Sequence, residues 1–446
     1  MQLTDELSLN VFADILGVSR ATVESWIRTR KYTAHYSSNG HKCFYVKDIC
    51  NVPEIESMLK TKWYRELDST PLREYTSVEL FAGAGGLALG LEKAGFKHIL
   101  LNEYDHNACE TLRTNRPQWN VVESDIHDLD FRSYTGEVDF LSGGFPCQAF
   151  SYAGKRLGFE ETRGTLFFEL ARAVKEIEPK VFMCENVRGL VEHDGGRTLQ
   201  TIRNVISDLG YKLIEPRVLH AIQYNVPQKR ERLILIAVRN DIMPYVHYCW
   251  PDVCDYVPTL RDAFYKGRLY KTDVPLSSGQ LYPESKRIVM EKVPEGGDWR
   301  NLPEDVARQY MKGSYLLGGG KTGMARRLSM DEPSLTLTCA PAQKQTERCH
   351  PYETRPLTVR EYARIQTFPD DWSFAGPLSA QYKQIGNAVP VNLAWAVGRS
   401  LIRLFNEITE SGLMEERPKV NKIRHNYRLD GIFDGIVCEK GDEYKS

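Results

Sequence analysis

The sequence lacks the features that mark membrane, exported and repeat proteins. No apolar run among its 446 residues approaches the roughly 20 residues that span a bilayer. The start, MQLTDELSLN, is polar and acidic and shows no signal-peptide pattern, and neither repeats nor low-complexity tracts are present. We therefore expect no membrane partner. The length predicts two to four domains of about 100–200 residues each.

Two further absences concern metals and charge. None of the ten cysteines forms a C-x-x-C pair, so no zinc ribbon and no metal site is predicted. Scattered cysteines in a long chain without an export signal are typical of reduced thiols in the cytoplasm. There is also no charge excess, because 58 Lys and Arg balance 59 Asp and Glu. Any nucleic-acid partner must therefore be held by local basic patches.

Residues 1–65 are predicted to form a separate small module. The segment 10–32 reads as two short helices joined by a turn at Gly17, with Ser19 as the N-cap of the second helix. This is the pattern of a helix-turn-helix. Asn39 and Gly40 stand between two short aromatic-rich runs, and Asn-Gly is a strong hairpin signal, so we expect a small wing.

The charge of this module favours contact with DNA. Between Gly17 and Lys47 it carries six basic residues against the single acid Glu24. We predict that the module binds DNA and hypothesise that this DNA is a promoter. The alternative is a helical cap that touches only the main domain. The basic residues are Arg20, Arg28, Arg30, Lys31, Lys42 and Lys47.

The segment 76–240 alternates between apolar β-type runs and helical stretches, which predicts an α/β fold with a mostly parallel sheet. The alternation stops in 241–340, where Tyr, Pro, Gly, Lys and Arg dominate and long loops are expected. Helical patterns return in 341–410, and the tail 411–446 is uninformative. The predicted strands are 77–81, 98–103, 138–144, 180–186 and 232–238.

The first predicted strand runs into a glycine-rich turn and a helix. Gly83, Gly85 and Ala88 fit the dinucleotide fingerprint G-x-G-x-x-G/A, which is weak by itself. Glycines at this point let the backbone approach a ligand at a helix N-terminus. Glu103, after the next strand, is placed to bind the two ribose hydroxyls of either a nicotinamide dinucleotide or S-adenosylmethionine. Asp125 can accept a hydrogen bond from an adenine amino group or can simply cap a helix.

Cys147 is the candidate nucleophile. It stands at the C-terminal end of a predicted parallel strand, where open α/β sheets place their sites. Gly143 and Gly144 leave space beside it, and Pro146 fixes the backbone before the thiol. A buried structural cysteine is the usual alternative, but glycine-rich flanks do not make a packed core.

A polar loop follows this cysteine directly. The loop 148–163 carries Lys155, Arg156 and Arg163 together with two glycines. A basic loop beside a thiol is suited to closing over an anionic substrate.

Further charged residues come from later strands. Glu185 lies at a strand end on the same rim as Cys147 and is a candidate general acid. Arg230 and Arg232 alternate with Glu231, so both are expected to point to one face of a strand. The alternative for these two arginines is an ordinary surface pair.

Together these blocks resemble the bacterial, restriction-modification type of DNA (cytosine-5-)methyltransferase. The resemblance covers about residues 76–410, and the ordered blocks make it specific. The first 65 residues lie outside it. The blocks are Phe81-A-G-A-G-G, Pro146-Cys147-Gln148, Glu185-Asn186-Val187, Gln228-K-R-E-R and Gly386-Asn387-A-V.

The resemblance implies a Rossmann-like methyltransferase fold with a mixed, mostly parallel sheet. The catalytic domain would comprise 76–240 and be completed by helices in 341–410. A smaller target-recognition domain would occupy 241–340, followed by the tail 411–446. The implied protein is cytoplasmic, associated with the bacterial nucleoid, and acts as a monomer.

The family's chemistry assigns roles to the residues already singled out. Cys147 would add to carbon 6 of a cytosine that is flipped out of double-stranded DNA, which makes carbon 5 nucleophilic. Glu185 would hold or protonate ring nitrogen 3. Arg232, together with Arg230, would bind the carbonyl oxygen. S-adenosyl-L-methionine would supply the methyl group, and no metal would be needed.

The resemblance also implies a cofactor pocket and DNA contacts. Phe81 would stack on the adenine, Glu103 would bind the ribose, and Asp125 would reach the adenine amino group. The other implied cofactor contacts are Gly83, Gly85, Gly86, Leu87, Tyr104, Ile126, Pro146, Leu166 and Asn387. Since Asn387 is distant in sequence, the C-terminal helices must fold back beside the glycine turn. The implied DNA contacts in the loop after the thiol are Gln148, Ser151, Lys155, Arg156 and Arg163.

The region 241–340 would read a short specific DNA site, because its Lys, Arg and Tyr content suits phosphate and base-edge contacts. The sequence does not separate base-reading residues from those that only position the backbone. Candidates in and around this region are Lys266, Arg268, Lys271, Lys286, Arg287, Arg326 and Arg327.

Three other functions remain as alternatives. A transfer-RNA cytosine-5 methyltransferase would share the fold, but the roughly 100-residue recognition region and the N-terminal module favour DNA. A nicotinamide oxidoreductase would explain the glycine turn but not the Cys147 and Glu185 blocks. A DNA-binding regulator would leave the set of catalytic residues unexplained.

Overall fold

The computed structural model describes residues 1–37, 40, 42–145, 166–317 and 322–413. Among the described residues, no helix is long and apolar enough to cross a membrane. The tail from residue 414 onward lies outside the described part. So do several residues singled out above, namely Asn39, Pro146, Cys147, Gln148, Ser151, Lys155, Arg156 and Arg163.

The N-terminal module folds as a small antiparallel sheet with short helices. The strands are β1 (Glu6–Ser8), β2 (His35–Tyr36) and β3 (Lys42–Tyr45), in the order β1-β3-β2. The helices are α1 (Leu9–Ile15), α2 (Arg20–Arg28), α3 (Val46–Ile49), α4 (Pro53–Leu59) and α5 (Tyr64–Asp68). Ser19 accepts a hydrogen bond from the Thr22 amide, which confirms the predicted N-cap of α2. The antiparallel pairing of β2 with β3 confirms the predicted hairpin.

The main domain is built on one large mixed sheet. Its strands are β4 (Tyr75–Leu80), β5 (Phe96–Glu103), β6 (Val121–Glu123), β7 (Phe140–Gly143), β8 (Val181–Val187), β9 (Tyr211–Leu213), β10 (Arg217–His220) and β12 (Glu231–Arg239). The order is β10-β12-β8-β7-β4-β5-β6, and β9 also pairs with β12. The strands β4 to β8 run parallel, whereas β12 is antiparallel to β8, β9 and β10. The predicted α/β fold with a mixed, mostly parallel sheet is confirmed.

Helices cover both faces of this sheet. Side chains alternate along each strand, so Val181 and Met183 of β8 join one apolar core while Phe182 and Cys184 join another. Helices α6 (Gly86–Ala94) and α15 (Val391–Glu410) pack into the first core. Helices α8 (Leu166–Ile177) and α9 (Arg197–Asp208) pack into the second. Helix α7 (His106–Asn115) follows β5.

The region after β12 has little regular structure. Its helices are α10 (Leu260–Phe264), α11 (Glu284–Glu291) and α12 (Glu304–Met311). It has a small apolar cluster of its own, which includes Tyr282, Met290 and Val293. Strand β13 (Ser334–Leu335) pairs in parallel with β11 (Gln228–Lys229), which ties this region to the main domain.

The last helices close the domain over the glycine-rich turn. They are α13 (Val359–Ile365), α14 (Leu378–Asn387) and α15. Gly90 of α6 lies against Ala394 of α15, and Gly398 lies against Ala94, so the two helices approach closely. Gly86 meets the Val389 carbonyl. The predicted return of the C-terminal helices to the glycine turn is confirmed.

Candidate active site

The described site residues lie near the point where the order of strands in the sheet reverses. From β4 the chain runs outward through β5 and β6, and then crosses to the other side of β4 to form β7 and β8. The crevice between the carboxyl ends of β4 and β7 is the usual ligand position in open α/β sheets. The glycine turn leaves β4 on one side of this crevice. The chain leading to Cys147 leaves β7 on the other side.

The turn after β4 depends on unusual backbone angles. Phe81, Gly83 and Gly85 have φ of 58°, 55° and 83°, values that L side chains rarely adopt. A Cβ added at Gly83 would meet no atom within 4 Å, so the space beside this turn is open. Gly85 then caps α6, and the first amide groups of a helix have no hydrogen-bond partner within the helix.

Glu103 connects this turn to the end of β5. Its carboxylate accepts hydrogen bonds from the amides of Gly83 (2.7 Å), Tyr104 (2.8 Å) and Asp105 (2.8 Å). An ionised carboxylate has about four acceptor positions, so one remains for a ligand hydroxyl. Next to it, the Tyr104 side chain is 75% exposed and available to cover a flat ring.

The other residues predicted to bind the cofactor differ in position. Asp125 caps the 3-10 turn Ile126–Asp128, and a hydrogen bond from His127 lowers the pKa of its carboxyl. The helix-cap alternative for Asp125 is therefore confirmed, while contact with adenine stays a prediction. Leu87 and Ile126 are buried in apolar cores, and Leu166 packs partly buried against the same core as Ile126.

These residues fit S-adenosylmethionine. The open glycine turn and the α6 N-terminus suit a carboxylate group, the remaining acceptor position of Glu103 suits a ribose hydroxyl, and Tyr104 suits an adenine. Asn387 ends α14 beside this turn and accepts a hydrogen bond from the Cys339 thiol at 3.2 Å.

The opposite side of the crevice holds a buried ion pair. Arg232 Nε lies 2.5 Å from Glu185 Oε1, and the two residues are each 9% exposed. In the register of β8 and β12, Ile234 pairs with Glu185 and Arg232 pairs with Val187. The Arg232 side chain therefore extends along β8, past its own partner, to reach Glu185. The second Glu185 oxygen lies 3.0 Å from the Cβ position of Gly144. The pair therefore borders the backbone that leads to Cys147.

Arg230 does not share this position with Arg232. It is 2% exposed, and its guanidinium donates to the carbonyls of Leu337 (3.4 Å), Gly386 (3.0 Å) and Asn387 (3.4 Å). Burial and the nearby Arg232 lower the pKa of Arg230 well below its usual value. Arg230 thus joins the start of β12 to the end of α14, and neither arginine is an ordinary surface residue.

Three polar residues in the site were not assigned a role from the sequence. Asn186 donates to the Phe145 carbonyl at 2.9 Å and holds the end of β7 beside β8. Gln228 donates to Gln366 at 2.8 Å, and Gln366 donates to the carbonyls of Ile385 and Ala388. Gln228 and Gln366 are fully buried. Asn186 and Gln228 belong to the sequence blocks named above, whereas Gln366 belongs to none of them, and only tertiary contacts reveal what these three side chains join.

The N-terminal module lies against this part of the main domain. Asp14 forms an ion pair with Lys229 at 2.8 Å, and Asn10 donates to Glu332 at 2.5 Å. The turn at Gly17 contacts the His220 ring. A cavity of about 390 Å³ lies between the module and strands β8, β10 and β12. Its lining residues include Asp14, Val18, Arg188 and Arg232. Arg20, Arg28 and Arg30 remain exposed, with Arg20 paired to Glu24.

Several basic residues predicted to contact DNA have other partners. Arg327 is 4% exposed and donates to the carbonyls of Met290, Val293, His350 and Glu353, so it holds the region together instead of reading bases. The remaining pairs are Lys286 with Glu347, Arg287 with Glu284, Arg268 with Asp255, and Arg326 with Asp298. Lys266 and Lys271 are exposed.

Among the described residues, one cluster has ligand atoms close enough for a metal ion. It consists of His106, Glu110 and Glu123. Arg113 donates to Glu110 at 2.9 Å and to Glu123 at 2.7 Å, so a guanidinium already balances the two carboxylates.

Comparison with known proteins shows that the chain is similar to one family of enzymes. The family model for the C-5 cytosine-specific DNA methylase matches residues 75–403. The Type II methyltransferase M.Eco47II of Escherichia coli is 61% identical over 411 residues, which is 92% of this chain and 98% of that protein. M.PspPI of Psychrobacter sp. (strain TA137) is 59% identical over 403 residues, 90% of this chain and 97% of that protein. A solved structure described as a DNA modification methyltransferase from an E. coli prophage aligns with a TM-score of 0.53 at 24% identity. It covers 75% of this chain and 100% of that one, and it supports the fold alone.

Proposed function

The chain belongs to the family of C-5 cytosine-specific DNA methylases, and we propose that its Glu185–Arg232 pair binds the target cytosine beside the nucleophile Cys147. Its family makes it a DNA cytosine-5 methyltransferase that uses S-adenosylmethionine and acts on double-stranded DNA within a restriction-modification system. The observation that carries the proposal is the position of this buried ion pair. It lies next to Gly144, across the crevice from the glycine turn.

The proposed reaction begins with a flipped-out cytosine in the crevice. The Cys147 thiolate forms a bond to carbon 6, and the electrons of the ring double bond move toward ring nitrogen 3. Glu185 first takes up a proton from solvent as the cytosine enters and then donates it to that nitrogen, while Arg232 binds the carbonyl oxygen, so these two groups hold the charge that develops. Carbon 5 is now an enamine-type nucleophile.

Bound S-adenosylmethionine supplies a methyl group activated by its sulfonium. Carbon 5 would accept this methyl group as the bond between sulfur and methyl breaks, which would leave S-adenosylhomocysteine. Loss of the carbon 5 proton to a solvent base then restores the double bond and expels the Cys147 thiolate, and ring nitrogen 3 returns its proton to Glu185. Glu103 and the Gly83–Gly86 turn would hold the donor, and Asn387 would close the pocket from the C-terminal side. The loop 148–163 would close over the DNA, and the protein would act as a monomer.

This proposal is tested with plasmid DNA from cells that express the wild type, Cys147→Ala or Cys249→Ala. Cys249 is an exposed thiol and serves as the matched control. Bisulfite sequencing should show methylated cytosines in one short motif for the wild type and the control, and none for Cys147→Ala. Methylation that survives in Cys147→Ala would rule out the covalent mechanism, and its absence from every sample would contradict the proposed activity.

A second function is proposed for the N-terminal module, namely binding of a promoter. The observation that favours it is a pair of exposed basic residues, Arg28 at the end of α2 and Arg30 just beyond it, at the other end of this helix from the Gly17 turn that contacts His220. Replacing Arg28 and Arg30 by Ala in the full chain should abolish a gel shift with promoter DNA while methylation stays near the wild-type rate. A parallel loss of methylation would instead place the module in the catalytic DNA interface.

A further inference from the structure

The segment 228–232 has contacts on two sides. Side chains alternate along extended chain. Arg230 bonds to the end of α14, and Arg232 pairs with the buried carboxylate of the site. Lys229 and Glu231, which alternate with these arginines, have neighbours in the N-terminal module. The module therefore contacts the same short segment that carries Arg232.

Helix α1 of the module holds β11 and the chain before β13 through one face. Asn10 and Asp14 lie four residues apart on this helix, so their side chains point the same way. Asp14 pairs with Lys229 of β11 at 2.8 Å. Asn10 donates at 2.5 Å to Glu332, which comes shortly before β13 and lies 3.5 Å from Lys229. The three charged side chains are mostly buried, so solvent screens their charges little.

The turn after α1 rests on β10 and β12. Gly17 has φ 64°, and a Cβ there would lie 2.6 Å from the His220 ring and 3.6 Å from a Glu231 carboxylate oxygen. His220 and Glu231 are partners in the register of β10 and β12. Glu231 also accepts a hydrogen bond from Arg188, just after β8, at 3.0 Å. The turn thus lies where β12 is tied to the end of β8, and these two strands carry the buried ion pair.

A small shift of Arg232 would be costly, because misplacement by about 1 Å can lower an enzymatic rate by about 100-fold. Arg232 directly follows Glu231 and is the third residue after Lys229. Planar peptide units of fixed length join these positions. A displacement at either contact with the module is therefore passed to Arg232 through the backbone.

We propose that the N-terminal module is a positioning part of the active site. Asp14 and the Gly17 turn fix the segment 228–232 and so hold Arg232 in place against Glu185. Asp14 is a positioning residue that acts through its ion pair and not through contact with the substrate. The inference rests on the proposed function, because it gives the module a share in building the cytosine pocket. It is independent of promoter binding, which uses the exposed arginines near the end of α2.

The test compares Asp14→Asn and Gly17→Ala with two controls in the full chain. Asp14→Asn removes the charge at nearly constant size, and Gly17→Ala pushes the turn away from β10. Glu56→Gln is the charge control, because Glu56 pairs with Lys60 at the exposed end of α4. Val23→Ala is the stability control, because it removes buried methyl groups from α2 and leaves the contacts with the segment 228–232 in place.

Methyl transfer is measured in a single turnover, with saturating S-adenosylmethionine and a saturating duplex that contains the motif identified by bisulfite sequencing. The affinity for each ligand and the midpoint of urea unfolding are measured beside it. We expect the single-turnover rate to fall by about 10- to 100-fold in Asp14→Asn and Gly17→Ala, with both affinities unchanged. Glu56→Gln should match the wild type. Val23→Ala should lower the unfolding midpoint without lowering the rate.

Three results would overturn the positioning role. The first is a rate in Asp14→Asn and Gly17→Ala equal to that of the controls. The second is a loss confined to DNA affinity, which would mean that the module contacts the substrate directly. The third is an equal loss of rate in Val23→Ala, which would mean that the rate only follows the stability of the module. A wild type that transfers no methyl group would instead contradict the proposed function itself.

Discussion

The Glu185 carboxylate is buried, and one neighbour balances its charge. Its only recorded ion-pair partner among the described residues is Arg232, and both side chains are almost completely removed from solvent. Breaking one side of a buried pair leaves the other charge unpaired, which destabilises a protein by about 3–5 kcal/mol. Disrupting the pair that is proposed to bind cytosine should therefore also destabilise the fold.

Replacing Glu185 by Gln should consequently lower both activity and stability. We expect methyl transfer to fall below detection in single-turnover assays and the midpoint of urea unfolding to decrease. Glu215→Gln is the control, because its pair with Arg203 is exposed and worth about 0–1 kcal/mol. Full methyl transfer by Glu185→Gln would remove this carboxylate from the mechanism.

Glu103 provides a second test at the residue scale. A Gln side chain has one acceptor oxygen and would turn an NH₂ group toward backbone amides that are themselves donors. Glu103→Gln should weaken binding of S-adenosylmethionine by about 10- to 100-fold, as expected for disturbed hydrogen bonds to a charged group. Titration calorimetry measures this without turnover. Glu110→Gln, on the neighbouring helix α7, should bind normally, and equal affinity of the two variants would contradict the assigned role.

At the scale of elements, the contact between α6 and the start of α15 shapes the cofactor side. A Cβ at Gly86 would overlap the Val389 carbonyl oxygen, whereas a Cβ at Gly83 would meet nothing within 4 Å. The two glycines are therefore required for different reasons. Gly86 permits close packing, while Gly83 permits a positive φ beside an open pocket.

Gly86→Ala should accordingly destabilise the protein more than Gly83→Ala. For Gly83→Ala we expect a loss of about 1 kcal/mol from strain at positive φ. For Gly86→Ala we expect about 2–3 kcal/mol, because backbone must shift to relieve overpacking. Urea unfolding of the two variants decides the order, and a reversed order would show that the α6–α15 contact adapts easily.

For the whole molecule, the docking of the N-terminal module introduces a dependence on pH. Burial, together with the nearby Glu332, raises the pKa of the Asp14 carboxyl from its usual value of 3.8 to about 6, although its partner Lys229 acts in the opposite direction. The folded protein then holds this proton more tightly than the unfolded chain. Between pH 4 and 6 the folded state binds more protons, so the Asp14 contribution to stability falls as pH rises.

Asp14→Asn should remove that part of the pH dependence. The unfolding free energy of the variant relative to the wild type should rise by about 2 kcal/mol from pH 4 to pH 7, at about 1.4 kcal/mol per pKa unit, because part of the effect lies below pH 4. Chemical denaturation across this range gives the measurement. Asp48→Asn, at an exposed position in the same module, is the control. Parallel curves for wild type and Asp14→Asn would show that Asp14 ionises as freely in the folded state as in the unfolded chain.

The sequence by itself determined the α/β class, the strands around the glycine turn and the Ser19 cap. These features depend on local patterns, since side-chain alternation and capping act between residues close together in the chain. It also indicated that Asn387 returns to the glycine turn, because the family blocks require it. The same blocks also identified Glu185 and Arg232 as candidate site residues.

Only the tertiary structure decided which arginine faces Glu185 and what the other one does. Arg230 and Arg232 are equivalent in a strand pattern, but Arg230 turns to carbonyls that are more than 100 residues away in sequence. The same holds for Arg327, whose partners lie on two separate segments, and for the Asp14–Lys229 pair between the N-terminal module and strand β11. A side chain's partner in a folded core depends on the packing of distant segments, and no local periodicity encodes that.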